Sequence, residues 1–123
     1  MQGDRGVCFG NAVQDDTPEY RHWLVGSFMP REFPLHSAVA ELKYGTHEPG
    51  ECRTREQATS SPTHTSMGIL ITGKVRYFFP DRDDVILENQ GDYVVWGPNV
   101  LHWWEILEPT LILTIRWKEG ASN

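Results

Sequence analysis

The feature that most constrains this chain is an alternation of apolar and polar residues with a period of two. In one segment Ala40, Leu42 and Tyr44 fall on one face of an extended chain, and Glu41 and Lys43 fall on the other. Successive side chains of a β-strand point to opposite faces, so this pattern predicts a strand. Similar short segments recur along the chain, with Gly, Pro, Asn or Asp between them. Such a series is typical of an all-β sandwich or barrel.

The predicted strands all lie in the part of the chain that follows residue 21. They cover residues 22–29, 38–44, 67–71, 74–79, 85–87, 93–96, 100–107 and 111–117. No long helix is predicted, because Gly or Pro interrupts almost every candidate window. Residues 1–20 are rich in Gly, Asn, Asp and Gln and predict an irregular N-terminal arm. A length of 123 residues suits one domain, which we place at residues 21–119.

Charge and composition argue against nucleic acids and membranes as partners of this protein. The formal net charge is -6, and no run of Lys or Arg forms a basic patch, so we expect neither nucleic acid nor a membrane as partner. No apolar stretch resembles a signal peptide or a membrane span. Cys8 and Cys52 are the only cysteines, and we expect free thiols. These features predict a cytoplasmic protein.

One segment near the C-terminus resembles a known motif. Gly91 opens a predicted strand, a turn at Gly97–Asn99 follows, and His102 comes shortly after the turn. This arrangement resembles the second motif of the cupin superfamily. The stretch from Ile69 to Val75, which contains a glycine, is similar to the end of the first motif. The resemblance is to small single-domain bacterial cupins, and it implies a β-barrel of the jelly-roll or double-stranded β-helix type with a pocket at one end.

The metal ligands of the cupin family are mostly missing. The family uses a His-x-His pair, a glutamate and the histidine of the second motif. Counted back from Gly73, the place of the glutamate holds Ser66, and residues 59–62 contain no histidine. Only His102 stands where the family has a ligand, although a shift of the polar loop would bring His64 inward. We therefore expect no cofactor, with a divalent metal on His102 and His64 as the alternative.

The resemblance places His102 inside the barrel pocket, and strand parity adds further candidates. Trp104 shares the parity of His102, while Trp96 and Tyr77 add aromatic surface that can stack a flat ligand. Arg116 is a buried cation that needs a carboxylate if its face looks inward, and an ordinary surface residue if it looks outward. Arg53 and Arg55, which alternate with their neighbours, pose the same question.

Trp103 has the opposite parity and should face outward, where a large apolar side chain needs cover. A second subunit is the simplest cover, so we predict a homodimer.

Three functions follow from these residues. The first is a small-molecule-binding protein with an aromatic-lined pocket, in which His102 also serves as acid or base if the protein catalyses without a metal. The second is a metal-dependent cupin enzyme of dioxygenase, isomerase or polyketide-cyclase type, which uses His64 and His102. The third is a structural or regulatory dimer module.

Overall fold

The computed structural model describes residues 2–3, 6–15 and 22–118, and most of its regular structure is β-strand. The strands are β1 (Gln2–Gly3), β2 (Cys8–Phe9), β3 (Trp23–Val25), β4 (Ala40–His47), β5 (Cys52–Arg53), β6 (His64–Phe78), β7 (Val85–Leu87), β8 (Tyr93–Trp96) and β9 (Trp103–Lys118). The helices are the single turn α1 (Ala12–Asp15) and a 3-10 helix (Arg55–Gln57). The predicted all-β fold is confirmed. None of the helices in the described ranges is long and apolar enough to cross a membrane.

Two long antiparallel strands, β6 and β9, form the centre of a seven-stranded sheet. They pair with each other along almost their whole length. On its other side β9 pairs with β4 through its C-terminal half and with β5 near its start. In the same way β6 pairs with β8 near its start and with β7 near its end. Strand β3 adds an edge beside β4. All these pairs are antiparallel, as a barrel of this type requires.

Strands β6 and β9 bend together at a β-bulge. Gly73 has a φ of 107°, and a Cβ there would lie 2.4 Å from the carbonyl oxygen of Pro109, so only glycine fits. The hydroxyl of Thr110 accepts a hydrogen bond from the Lys74 amide at 3.1 Å and donates one to the Glu108 carbonyl at 2.7 Å. The sequence pattern predicts separate strands at 67–71 and 74–79, and again at 100–107 and 111–117. In the structure the first two form β6 and the last two form β9, because the bulge shifts the register without ending the pairing.

The apolar core lies inside the sheet, next to this bend. Its members are Leu70, Val75, Tyr77, Phe79, Leu87, Val94, Trp96, Ile106 and Ile112. Leu70, Val75 and Leu87 are its most completely buried side chains. Four strands contribute to the cluster, so it ties the two halves of the folded sheet together.

The predicted N-terminal arm is described only in part. Strands β1 and β2 pair as a separate two-stranded sheet, and α1 follows them. Residues 1, 4–5 and 16–20 of the predicted arm lie outside the described residues, as do both ends of the predicted domain, Arg21 and Glu119. The division at residues 20 and 21 therefore stays a prediction. Cys8 and Cys52 are not bridged to each other.

Candidate functional site

A cavity of about 710 Å³ lies inside the barrel on the side away from the bulge. Six strands contribute to its wall, namely β3, β4, β5, β6, β8 and β9, together with the loop that follows the 3-10 helix. Its volume lies in the range of sites that bind small molecules. The site residues proposed from the sequence lie along this wall, with the exception of His64.

One side of the cavity is aromatic. Trp96 is 8% exposed, and its ring lies 5.5 Å from that of Tyr77, centroid to centroid. Trp104 and Trp23 also line the cavity. Burial raises the pKa of the Tyr77 hydroxyl above its ordinary value, so this group stays neutral at physiological pH. The wall thus offers flat apolar surface for a planar ligand.

His102 is held in place through both its backbone and its ring. Its amide donates to the Thr59 carbonyl at 3.0 Å, and its own carbonyl accepts from the Thr59 amide at 3.1 Å. Just before it, Asn99 adopts a left-handed conformation with a φ of 68°, which closes the turn. The imidazole lies against Trp96, with 4.3 Å between the ring centroids. Its Nδ1 atom is buried and has no hydrogen-bond partner among the described residues.

The surroundings of His102 keep its ring neutral. Burial is the main cause that lowers its pKa to about 4, and the positive charge of Arg53 acts in the same direction. The carbonyls of Thr59 and Val100 oppose this shift, since they favour the protonated ring. At neutral pH the imidazole therefore has one donor and one acceptor nitrogen.

Three basic residues line the cavity, Lys43, Arg53 and Arg116. Arg116 faces inward and donates from Nη1 to a carboxylate oxygen of Glu41 at 3.0 Å, so its carboxylate comes from the protein itself. The Arg53 guanidinium donates from Nη1 to the Thr59 hydroxyl at 2.6 Å. The Lys43 ammonium lies 5.9 Å from the centre of the Trp23 ring. The cavity is therefore basic as well as aromatic.

Comparison with protein-family models and with curated proteins gives no match. Solved structures do resemble this chain. KdgF from Halomonas sp. superposes with a TM-score of 0.59 at 17% identity, over 71% of this chain and 77% of that one. A cupin superfamily protein from Desulfitobacterium hafniense gives a TM-score of 0.58 at 14% identity, over 68% of this chain and 71% of that one. The fold is that of the cupins.

A third structural neighbour has a longer chain. The DMSP lyase DddQ from Ruegeria pomeroyi matches with a TM-score of 0.59 at 12% identity, over 76% of this chain but only 45% of that one. At these identities the likeness shows the cupin fold alone, and the function has to be argued from the cavity.

The side chains at the metal-binding places of the cupin fold do not suit a transition metal. Ser66, where the family has glutamate, is 4% exposed and lines the cavity, and Ser60 and Ser61 line it from the preceding loop. Hydroxyl groups are poor ligands for such ions beside imidazole, thiolate or carboxylate. His64 is not among the cavity residues, and its Nδ1 atom lies 2.9 Å from the Thr63 hydroxyl. In the described ranges no group of three or more His, Cys, Asp or Glu side chains is placed to hold a metal ion.

The predicted positions of two histidines, His64 in a loop and His47 in a solvated turn, are wrong. His64 is the first residue of strand β6, whereas the sequence pattern predicts a loop. His47, expected in a solvated turn, ends strand β4 with its ring 5.3 Å from that of Trp104 and its Nδ1 3.2 Å from a carboxylate oxygen of Glu51.

Sequence reasoning did not select Lys43 or Trp23 for the site. Lys43 pairs with Thr114 in the β4–β9 ladder and with Trp23 in the β3–β4 ladder, which brings all three to the cavity face. The sequence showed that Lys43 shares a strand face with Glu41, but it did not show that this face points into the barrel.

Trp103 faces outward as predicted, but residues of the same chain cover it where a second subunit was expected. Its ring stacks on that of Phe78, with 5.6 Å between centroids and 8° between planes, and the Arg55 guanidinium lies 5.6 Å from its centre. The chain therefore covers this side chain itself. The predicted homodimer loses this support and stays a prediction.

A second, outer groove of about 510 Å³ lies beside strand β8. Val95, Leu101 and Pro80 contribute to its mostly apolar wall, and Trp96 separates it from the barrel cavity by lining both. This groove contains neither His102 nor the three basic residues of the cavity.

Proposed function

We propose that this protein binds a small organic molecule in its barrel cavity. The observation that carries the proposal is a cavity of about 710 Å³ whose wall places the imidazole of His102 beside Trp96. Ligand sites are concave, are lined mostly by apolar and aromatic side chains, and hold a few polar groups that orient the ligand. A neutral imidazole in such a wall can donate or accept one hydrogen bond to a ligand.

The wall suggests how the ligand would be held. Trp96 and Trp104 offer ring faces on which a flat molecule would stack. His102, neutral at physiological pH, would donate or accept one hydrogen bond and fix the orientation of the ligand. Ser66 and Thr114 add hydroxyl groups to the wall that suit polar substituents.

Binding is favoured over metal-free catalysis. A general acid or base works best when its pKa lies near the working pH, and the pKa of His102 is lowered to about 4. In that state the ring is a weak base and is not charged as an acid. The cupin fold does carry enzymes, since one structural neighbour is a DMSP lyase. Catalysis by this chain would need a ligand that raises the pKa of His102.

The test is a co-purification experiment with two histidine variants. Native protein without an affinity tag is examined by mass spectrometry for a bound small molecule, and the affinity of that molecule is then measured for His102→Ala and His64→Ala. We expect the first variant to lose about 1–3 kcal/mol of binding free energy, the cost of an unpaired buried group. His64→Ala is the matched control and should bind normally. If neither variant changes binding while His102→Ala lowers the melting temperature, His102 is structural and the proposal fails.

The metal-dependent enzyme is the first alternative. It would require His64 and His102 to hold one ion, although only one of them lines the cavity. Metal analysis of tag-free protein purified without chelators separates the two proposals. Near-stoichiometric transition metal that is lost in both His64→Ala and His102→Ala would establish the metal site and displace our leading proposal.

The structural or regulatory dimer module is favoured by one surface. The outer apolar face consists of apolar residues that share the side of the sheet away from the cavity, namely Leu42, Tyr44, Met67, Ile69, Tyr93, Val95, Leu113 and Ile115. Tyr93 and Val95 are its most exposed members. Light scattering tests the dimer directly. A monomer mass at micromolar concentration would contradict it.

A further inference from the structure

We propose that the ligand of the barrel cavity is a small organic acid whose carboxylate binds Arg53. This inference rests on the proposed function, because it names the chemical class of molecule for the same cavity. Two observations support it. Of the two arginines in the wall, Arg116 is paired with a carboxylate and Arg53 is not, and the side chains that line the wall include three basic residues.

Among the described residues, the wall of the cavity holds Lys43, Arg53 and Arg116 and no Asp or Glu, although Glu41 beside it pairs with Arg116. This concentration of basic groups stands in a chain whose formal net charge is -6. A cavity lined by one sign of charge attracts ligands of the opposite sign.

The two arginines of the cavity have different partners. Arg116 is paired with the Glu41 carboxylate at 3.0 Å. Arg53 is half-buried, and its only hydrogen bond to a described side chain is the one from Nη1 to the Thr59 hydroxyl. No carboxylate in the described ranges lies within 4.0 Å of it. A guanidinium has five donors in a planar fork, which matches the two oxygens of a carboxylate. Arg53 therefore has the unused donors that a carboxylate would take.

The position of Arg53 connects the charged group to the aromatic wall. Arg53 pairs with Trp104 across the β5–β9 ladder, and both residues line the main cavity and a smaller recess of about 80 Å³ behind it. A carboxylate bound to Arg53 would leave the body of the ligand against Trp104 and Trp96. The positive charge of Arg53 also lowers the pKa of His102, so the two groups act on the same space.

A carboxylate suits this wall better than a phosphate. Phosphate sites commonly use the backbone N–H groups of a helix N-terminus. The described residues that line this cavity lie instead on strands or in the loops beside them. Because Glu41 already pairs with Arg116, Arg53 is the arginine in this wall with donors to offer, and its planar fork suits a carboxylate on an unsaturated body.

The test compares matched probes on the full chain. Benzoate, benzamide and phenyl phosphate share a ring and differ in charge, and their binding is followed by NMR through the tryptophan indole N–H signals. We expect benzoate to bind at least about tenfold more tightly than benzamide, since hydrogen bonds to charged groups are the stronger ones. Arg53→Gln should weaken benzoate about 10- to 100-fold on the same grounds and leave benzamide unchanged. Arg53→Lys, which keeps the charge but not the fork, should fall between.

Arg55→Gln is the matched control, because it removes a positive charge two residues away on the outer side, beside Trp103. It should leave benzoate binding unchanged. If benzamide binds as well as benzoate, or Arg53→Gln leaves benzoate affinity unaltered, the inference is wrong and the proposed small-molecule site stands. A tighter Arg53-dependent binding of phenyl phosphate would overturn the carboxylate assignment. If no probe binds and a neutral molecule co-purifies with the protein, the inference is overturned while the proposed function survives.

Discussion

The inward-facing residues beside the bend of the barrel and those farther from it differ in character, although the same two strands carry both. Near the bend these side chains are apolar, namely Leu70, Val75, Ile106 and Ile112. Two to four residues farther along the same strands they are Ser66, Tyr77, Trp104, Thr114 and Arg116, and His102 lies just before the start of β9. The ladder of hydrogen bonds runs through both regions. Core and cavity are therefore distinguished by side chains and not by the backbone.

This difference explains how a small barrel is stable and hollow at once. Beside the bend, Leu70 and its neighbours exclude water and pack together, which supplies stability. Farther away, Thr114 and Arg116 replace apolar bulk on the inner face, and space remains. Polar side chains that line a cavity contribute less to stability than a packed core would. Substitutions in the two regions should therefore have separable effects on folding and on binding.

The largest expected effect is on stability, from Leu70→Ala beside the bend. Leu70 is 0% exposed, and truncation of a buried leucine typically costs about 2–5 kcal/mol because a cavity is left. Urea unfolding measures this loss, and the affinity of the remaining folded protein for its ligand should be unchanged. Leu101→Ala is the control, since Leu101 is 45% exposed and should cost under about 0.5 kcal/mol. Similar losses for both variants would mean that Leu70 does not belong to a packed core.

The next effect tests the boundary between core and cavity through Gly68. A Cβ on Gly68 would lie 2.6 Å from the Tyr77 hydroxyl, and Tyr77 is buried and has little room to move. Gly68→Ala should therefore cost about 1–3 kcal/mol, as overpacking does, and should weaken ligand binding. The double variant Gly68→Ala/Tyr77→Phe removes the clashing oxygen and should recover part of the loss in thermal unfolding. A double variant no more stable than Gly68→Ala would show that the contact is not the cause.

The smallest expected effect is a pH dependence of the free energy of unfolding, which arises from His102 in the cavity wall. The pKa of His102 is lowered from 6.5 to about 4 in the folded protein, so between these values the unfolded chain binds a proton that the folded chain does not. The free energy of unfolding should therefore fall as the pH is lowered through this window, and the loss due to His102 should reach its full size below the folded pKa. We expect about 1 kcal/mol from His102 between about pH 7 and pH 5, after allowance for solvent screening.

His102→Gln should flatten this pH profile in chemical unfolding. His64, whose pKa burial also lowers, contributes in the same direction, so His64→Gln serves as the comparison. An unchanged slope in His102→Gln would contradict the neutral buried state of the ring.

The sequence predicted the fold better than the site. Period-two parity correctly joined Trp104 to His102 and set Trp103 on the opposite face. Parity alone, however, does not say which face is the inner one. In the last strand Leu113 and Ile115 face outward, so the more apolar face is the outer one, and this became clear only from the pairing with β4 and β6.

The remaining site residues depend on contacts between distant segments. Arg53 reaches the cavity because β5 pairs with the start of β9, and His47 approaches Trp104 through the same strand. Both pairings join segments far apart in the sequence, and neither has a local signal. Once the cupin resemblance placed His102 inside the barrel, alternation added Trp104 of β9, whereas the cavity residues from β3, β4 and β5 needed the structure.

The central claim, that a small molecule binds on the cavity side of the barrel, is tested most directly by a crystal structure of natively purified, tag-free protein with its co-purified molecule. We predict electron density between Trp96 and Trp104, with a polar atom within hydrogen-bond distance of the imidazole of His102. Density in the outer groove beside Val95 and Leu101, or a cavity filled by its own side chains, would contradict the claim.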